Sequence, residues 1–192
     1  MTVIMTPIAL LNVESGQAED AELWDAITEQ QLADWEGEWL PELFKSVQKM
    51  KRAGVERELW PQSRHWDWRS KTASLQGMLA RQGFSVVCDG VTQGMMIVDT
   101  TTKRCRQELL NDSPKYRGIG SVLIRTVIEL SKKEEFKGRI GLHSLPQSNS
   151  FYANSCGMTD LGADPNPVYA PMRYFEMTEG QAEAFIEKGR KP

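Results

Sequence analysis

At 192 residues, with 40% hydrophobic and 26% charged residues, the chain has the size and composition of one globular domain burying a sizeable core. A formal net charge of -3 argues against a duplex-binding surface, which needs clustered Lys and Arg to displace counterions. Cys88, Cys105 and Cys156 are an odd number without close spacing. They make neither a disulfide framework nor a zinc site, because only His65 and His143 could complete four ligands, so no metal is expected.

Free thiols fit a reducing cytosol. The apolar run from Val3 to Val13 lacks a basic leader, is broken by Pro7 and Asn12, and is far shorter than the ~20 residues of a membrane span. It reads as a first strand, and the chain as a cytoplasmic, unprocessed protein that engages neither membrane nor nucleic acid. Next, Ser15 to Asp20 reads as a polar entry to a helical stretch, with Leu23, Trp24, Ile27, Gln31 and Trp35 at helical spacing. A second helix is expected from Pro41 to about Arg52, with Leu43, Phe44 and Val47 inward and Gly54 ending it. The basic residues Lys49, Lys51, Arg52 and Arg57 alternate with Glu56 and Glu58 and read as a solvated face. The stretch from Trp60 to Lys71, WPQSRHWDWRSK, holds half of the six tryptophans and has no clear period. Leu75 to Leu79 reads as a short helix closing at Gly83.

Past Gly83 the period changes. Phe84 to Cys88, the Asp89-Gly90 turn and Gly94 to Val98 predict an antiparallel hairpin. A third, thinly supported strand is expected around Arg104 to Asn111. A glycine turn then leads into a helix from Ser121 to about Lys133, with Leu123, Ile124, Val127 and Ile128 inward. Gly138 to Leu145 gives a strand, Gln147 to Ser155 a short helix stopping near Gly157, and Met172 to Met177 another strand. Thr178 with Gln181 makes a capping box for a final helix closing at Gly189. This order predicts an α/β fold with a mixed, mostly antiparallel sheet flanked by helices, preceded by a helical N-terminal portion.

The glycine turn, Lys115-Tyr116-Arg117-Gly118-Ile119-Gly120, opens a helix. Unpaired N–H groups and the helix dipole make such a terminus an anion site. Gly118 and Gly120 allow close backbone approach, and Lys115 and Arg117 add charge. The same residues could merely join a strand to a helix. The turn lacks the GK[ST] of a Walker A loop and the third glycine of a dinucleotide fingerprint.

The stretch PKYRGIGSVLI resembles the acyl-coenzyme A loop of the GNAT N-acetyltransferase superfamily, [QR]-x-x-G-x-[GA] opening a helix, with Lys115 at the first position and Gly118 and Gly120 at the glycines. A second likeness is Phe151-Tyr152-Ala153-Asn154-Ser155-Cys156-Gly157-Met158, similar to the family's F-Y-x-x-x-G-F but with one residue more before the glycine. Leu145 stands where that family often has Asn. The likeness covers about Phe84 to Met177. It implies one GNAT domain: 1–83 as an acceptor-side portion, 84–177 as the acetyl-CoA core and 178–192 as a C-terminal helix. It implies that amides from Arg117 to Ser121, through Ile119, grip a pyrophosphate. It also implies that the backbone at Leu110 meets the pantetheine and thioester.

The implied reaction is acetyl transfer from acetyl-CoA to an amine of unknown identity, a small molecule or a protein amino group, by direct attack. The amine must lose a proton, the oxyanion needs an N–H donor, and the thiolate needs a proton. Tyr152 is the candidate acid, or a buried aromatic. His143 is a candidate base or relay, or a structural histidine. Glu108 is another candidate base, or a solvated edge carboxylate. Asn149 and Ser148 either hydrogen-bond pantetheine or cap their own helix. Asp67 among the tryptophans either lines a pocket for a cationic amine or belongs to helix packing. Cys156 lacks assigned His and acid partners, which argues against a covalent acyl carrier. A non-catalytic acyl-CoA-binding or protein-interaction module is the rival expectation, and a homodimer is left open.

Overall fold

The computed structural model describes residues 2–57, 60, 67–73, 75, 80–100, 105–110, 115–166 and 169–189, with 105–110 described as backbone alone. Residues 61–66 of the tryptophan-containing stretch (with His65 and Trp66), most of the short helix expected over 75–79, and the side chains of Glu108 and Leu110 therefore lie outside the described residues.

The packing divides the chain into two compact units, one of residues 1–96 and 109–119, the other of 97–108 and 120–192. Two of these breaks fall inside strands and the third inside the first turn of a helix.

In the first unit, β1 (Met5–Asn12) pairs antiparallel with β2 (Ala18–Trp24), in register Pro7↔Glu22 and Ala9↔Asp20. This corrects the sequence reading, which made the stretch from Leu23 helical and Ser15 to Asp20 its entry. Leu23, Ile27, Gln31 and Trp35 satisfy a helical period, but residues 18–24 alternate as well, and the hairpin with β1 decides between them. The helix begins later, as α1 (Glu29–Asp34), behind a capping box in which the Thr28 N–H donates to Gln31 Oε1 at 2.8 Å. Helical winding then continues through a π-helical turn (Trp35–Trp39) into α2 (Leu40–Arg52). The Leu40 N–H donates to the Trp35 carbonyl, a wide turn that receives Pro41, whose missing N–H and ring would break an α-helix interior. Gly54, at φ +69, ends α2 as expected: the Val55 N–H reaches the Met50 carbonyl at 3.0 Å and the Gly54 N–H the Lys51 carbonyl at 3.2 Å. Phe44, expected inward, is 55% exposed, and α2 buries no residue fully.

After α3 (Trp68–Ala73) come β3 (Arg81–Cys88) and β4 (Val91–Asp99), joined by Asp89 and Gly90 at φ 53 and 72. Gly83 lies inside β3 and closes no helix; a Cβ there would stand 3.1 Å from Ile27. The Thr92 N–H and O–H both donate to Asp34 Oδ2, at 2.9 and 2.6 Å, tying α1 to β4. A two-residue strand, β6 (Tyr116–Arg117), pairs with the end of β1, giving the order β6-β1-β2-β3-β4.

The second unit orders its strands β5 (Cys105–Leu110), β7 (Ile140–Ser144), β9 (Arg173–Met177), β8 (Thr159–Ala163). β5 and β7 run parallel, from Cys105↔Ile140 to Gln107↔Leu142, and the other pairs are antiparallel. β8 was not expected, for Thr159–Ala163 shows little apolar alternation and is mostly exposed. The crossover from β5 to β7 runs through β6 and α4 (Ile119–Lys133), whose Leu123, Ile124, Val127 and Ile128 are all fully buried. Each such side chain contributes about 1.5–3 kcal/mol by leaving water. α5 (Glu179–Lys188) closes the unit behind the Thr178/Gln181 capping box.

Candidate active site

The turn between β6 and α4 is built from residues with different duties. Tyr116 is buried, its hydroxyl 3.0 Å from both Glu19 Oε2 and Asp89 Oδ2, and burial holds its ionisation well above the usual tyrosine range. Its side chain is thus committed to the interior, and only its backbone faces the turn. The carboxylates of Glu19 and Asp89 and the Cys88 thiol also lie within 4.8 Å of one another. Lys115 is half-exposed, with its Nζ 3.6 Å from Asp89 Oδ2 and 5.0 Å from the Tyr116 ring centroid. Arg117 is exposed and its backbone pairs with Leu11.

The two glycines are required for different reasons. Gly118 takes φ +103, a conformation L side chains rarely adopt, although a Cβ would find nothing nearer than Leu10 at 3.8 Å. Gly120 is already helical, and a Cβ there would lie 2.8 Å from Phe151 Cζ. The sequence reading gave both glycines to close approach by an anion; Gly120 also makes room for the Phe151 ring. Gly118 and Ser121 stay exposed on either side of buried Ile119 and Gly120. The first N–H groups of α4, which have no carbonyl one turn earlier to bond, therefore open at an accessible edge.

Phe151 belongs to the segment that follows β7, a 3-10 turn (Pro146–Ser148) and a π-helical turn (Phe151–Ser155). The extra residue before Gly157 is absorbed here: the Cys156 N–H donates to the Phe151 carbonyl at 3.0 Å, five residues back, and Gly157 leaves at φ +69. A π turn is how a helix accepts one added residue without losing the turns around it. Tyr152 is 3% exposed, with its ring 5.2 Å from Phe151 and 6.0 Å from Phe175. Neighbouring Cys156 is buried too, and desolvation pushes its thiol up to about 12.

His143 lies elsewhere. Phe175 pairs with Leu142, whereas His143 pairs with Tyr174, so Tyr152 and His143 sit over opposite faces of the sheet. The His143 Nε2 is 2.7 Å from Asp164 Oδ2, and its ring stacks on Tyr169 at 4.1 Å and 8°. Asp164 and Tyr169 lie between β8 and β9, and nothing in their local sequence announced that they meet His143. Asn149, by contrast, is near Tyr152 in sequence and has a buried Oδ1 without a hydrogen-bond partner. An orphaned acceptor fits an incoming amide N–H better than a helix cap does.

No family model matches the chain, and no curated protein matches it. Solved structures do. RimJ of Mycobacterium smegmatis, in complex with CoA-disulfide, shares 13% identity over 98% of this chain and 95% of its own, at a TM-score of 0.59. An acetyltransferase from Streptococcus agalactiae shares 14% over 81% and 96%, at 0.57. The GNAT domain of PAT from S. lividans shares 13% over 90% and 96%, at 0.55. The chain has the GNAT fold.

Within the GNAT fold the glycine turn leads into α4, the helix that crosses from β5 to its parallel partner β7. Of the candidate residues, the backbone from Lys115 to Ser121 is continuous at the start of α4, while Tyr152 and His143 are separated by the sheet. Phe151 was quoted in the motif but assigned no duty. Its ring is what shapes the helix start, a role visible only once Gly120 and Phe151 are side by side.

Proposed function

We propose that the chain transfers an acetyl group from acetyl-CoA to an amine by direct attack in a ternary complex. The observation that carries this reading is the start of α4, where Gly118 turns at φ +103 and Gly118 and Ser121 are exposed. The N–H groups from Arg117 to Ser121 would hold the pyrophosphate, with Ile119 and Gly120 contributing backbone beneath Phe151. Lys115 and Arg117 would supply charge, and Tyr116 backbone alone. Asn149 Oδ1 would accept from a pantetheine amide, and the backbone at Leu110 would continue that contact. The coenzyme supplies the activated thioester; the chain supplies position and protons.

Tyr152 would protonate the departing thiolate from its face of the sheet. On the other face, His143 would act as a relay that carries the amine's proton away through water, with Asp164 orienting the imidazole and stabilising its charged form. An acid and a base that both touch one tetrahedral carbon cannot have a sheet between them, so of these two only Tyr152 would touch the reacting atoms. Glu108 is the second candidate for the base. Similarity to the RimL ribosomal L7/L12 alpha-N-protein acetyltransferase, at 13% identity and a TM-score of 0.54, keeps a protein amino group among the acceptors considered.

Purified chain with acetyl-CoA and a panel of amines and amino-terminal peptides, followed by free thiol release, tests the reading. Amine-dependent release that falls at least tenfold in His143→Gln is expected. Tight binding of acetyl-CoA without release for any acceptor would replace the enzyme by a binding module.

A further inference from the structure

A recess of about 610 Å³ lies wholly within the first unit. Its floor is the face of β1 and β2 carrying Pro7, Asp20, Glu22 and Trp24, extended by Val87. One wall is α1, through Gln30 and Gln31, and the Asp89–Gly90 turn closes an end. The volume is that of a ligand pocket.

Its chemistry is one-sided. Asp20, Glu22 and Asp89 line it, and among the described residues only Asp89 has a cation nearby, Lys115 at 3.6 Å. Among the described residues Asp20 and Glu22 form no ion pair. The Trp24 indole N–H donates to Glu22 Oε2 at 2.8 Å, which fixes that carboxylate beside the ring. Such an arrangement of ring and carboxylate attracts a cation.

Gln31 supplies an independent observation. Its side chain is fully buried and lines the same recess. Its Oε1 is occupied by the Thr28 N–H and O–H, at 2.8 and 2.6 Å, as the capping box requires. The Nε2 therefore carries both amide hydrogens, and it has no acceptor. A buried donor without a partner is unfavourable, and no cation can supply what it lacks. A carbonyl can.

We infer that this recess binds a lysine-containing peptide segment, its ammonium group held by Asp20 and Glu22 beside Trp24 and a backbone carbonyl accepting from Gln31 Nε2. The inference does not depend on acetyl transfer, because binding needs no coenzyme.

The probe is acetyl-trilysine amide, titrated into the full chain and followed by the Trp24 indole and Gln31 side-chain N–H resonances. Saturable shifts of both are expected. Affinity should fall at least tenfold in the Asp20→Asn, Glu22→Gln double variant, whose exposed positions leave the core untouched. The neutral acetyl-triglutamine amide should not shift them, and spermidine, a cation without a carbonyl, should move Trp24 and spare Gln31. Unmoved resonances, undiminished affinity in the double variant, or equal binding of the neutral peptide would overturn the assignment; so would a Gln31 shift with spermidine equal to that with trilysine.

Discussion

At Gly118 and Gly120 the same residue type answers two different demands, one on the backbone and one on a neighbour's ring. Gly118→Ala should cost about 1–3 kcal/mol from the left-handed φ alone, read as a lowered unfolding midpoint. Gly120→Ala should also destabilise, but combining it with Phe151→Leu should recover part of the loss, because the clash is with that ring. Simple additivity of the two changes would show that the ring is not the obstacle. Cys156 yields a pH prediction. Its thiol rises from an ordinary 9.0 to about 12 on folding, so between those values the unfolded chain loses a proton that the native chain keeps. Its contribution is thus complete below about pH 9 and lost as pH rises towards 12; Cys156→Ser should flatten that decline in denaturant titrations. The glycines and Tyr152 were legible as sequence motifs. Asp164 and Tyr169 were not, since a partner 21 residues from His143 leaves no trace in local spacing.

Elements were legible where one period dominated. The stripe of α4, the Asp89-Gly90 hairpin and the Thr178 capping box each combine pattern with a boundary signal, and each forms as expected. Residues 18–24 fit two periods at once, and pairing with β1 chose the strand. β8 has almost no apolar face, so its signal is its neighbour β9. The π turn at Phe151–Ser155 accommodates the residue added before Gly157. Deleting Ser155 should accordingly convert it to an α turn, with the chain still folded and coenzyme affinity within threefold; a chain that no longer folds would show that the wide turn is required. At α5, Thr178→Ala should cost about 1 kcal/mol, as for other N-caps. Gln181→Ala should cost more, because Gln181 Nε2 also donates to the Gly157 carbonyl at 2.8 Å and so fixes the exit of the π turn. Equal losses in paired unfolding measurements would remove that second role.

At the scale of the whole chain, composition set the class, and topology set the fold. The mixed sheet with a parallel β5–β7 pair follows from a single crossover helix, which the strand–glycine turn–helix order had already implied. Sheet edges are managed by sequence as well. The Val13 N–H points to β6, at 2.9 Å from the Lys115 carbonyl, so Leu11, Ala9 and Pro7 face that same edge of β1. Among the described residues β6 pairs only with Leu11 and Asn12, and Pro7 lies on the stretch of that edge without a paired strand, where a missing N–H breaks no ladder. Among the described residues no helix is long and apolar enough to cross a membrane. The proposed acetyl transfer rests on one geometry, in which amide hydrogens at the start of α4 would meet a diphosphate. The most direct measurement is titration of coenzyme A into chain labelled with 15N at glycine and serine. Saturable shifts of the Gly118, Gly120 and Ser121 amides, abolished in a folded Gly118→Glu variant, are the predicted result. Coenzyme that binds while those amides stay still, or binds undiminished to Gly118→Glu, would contradict the account.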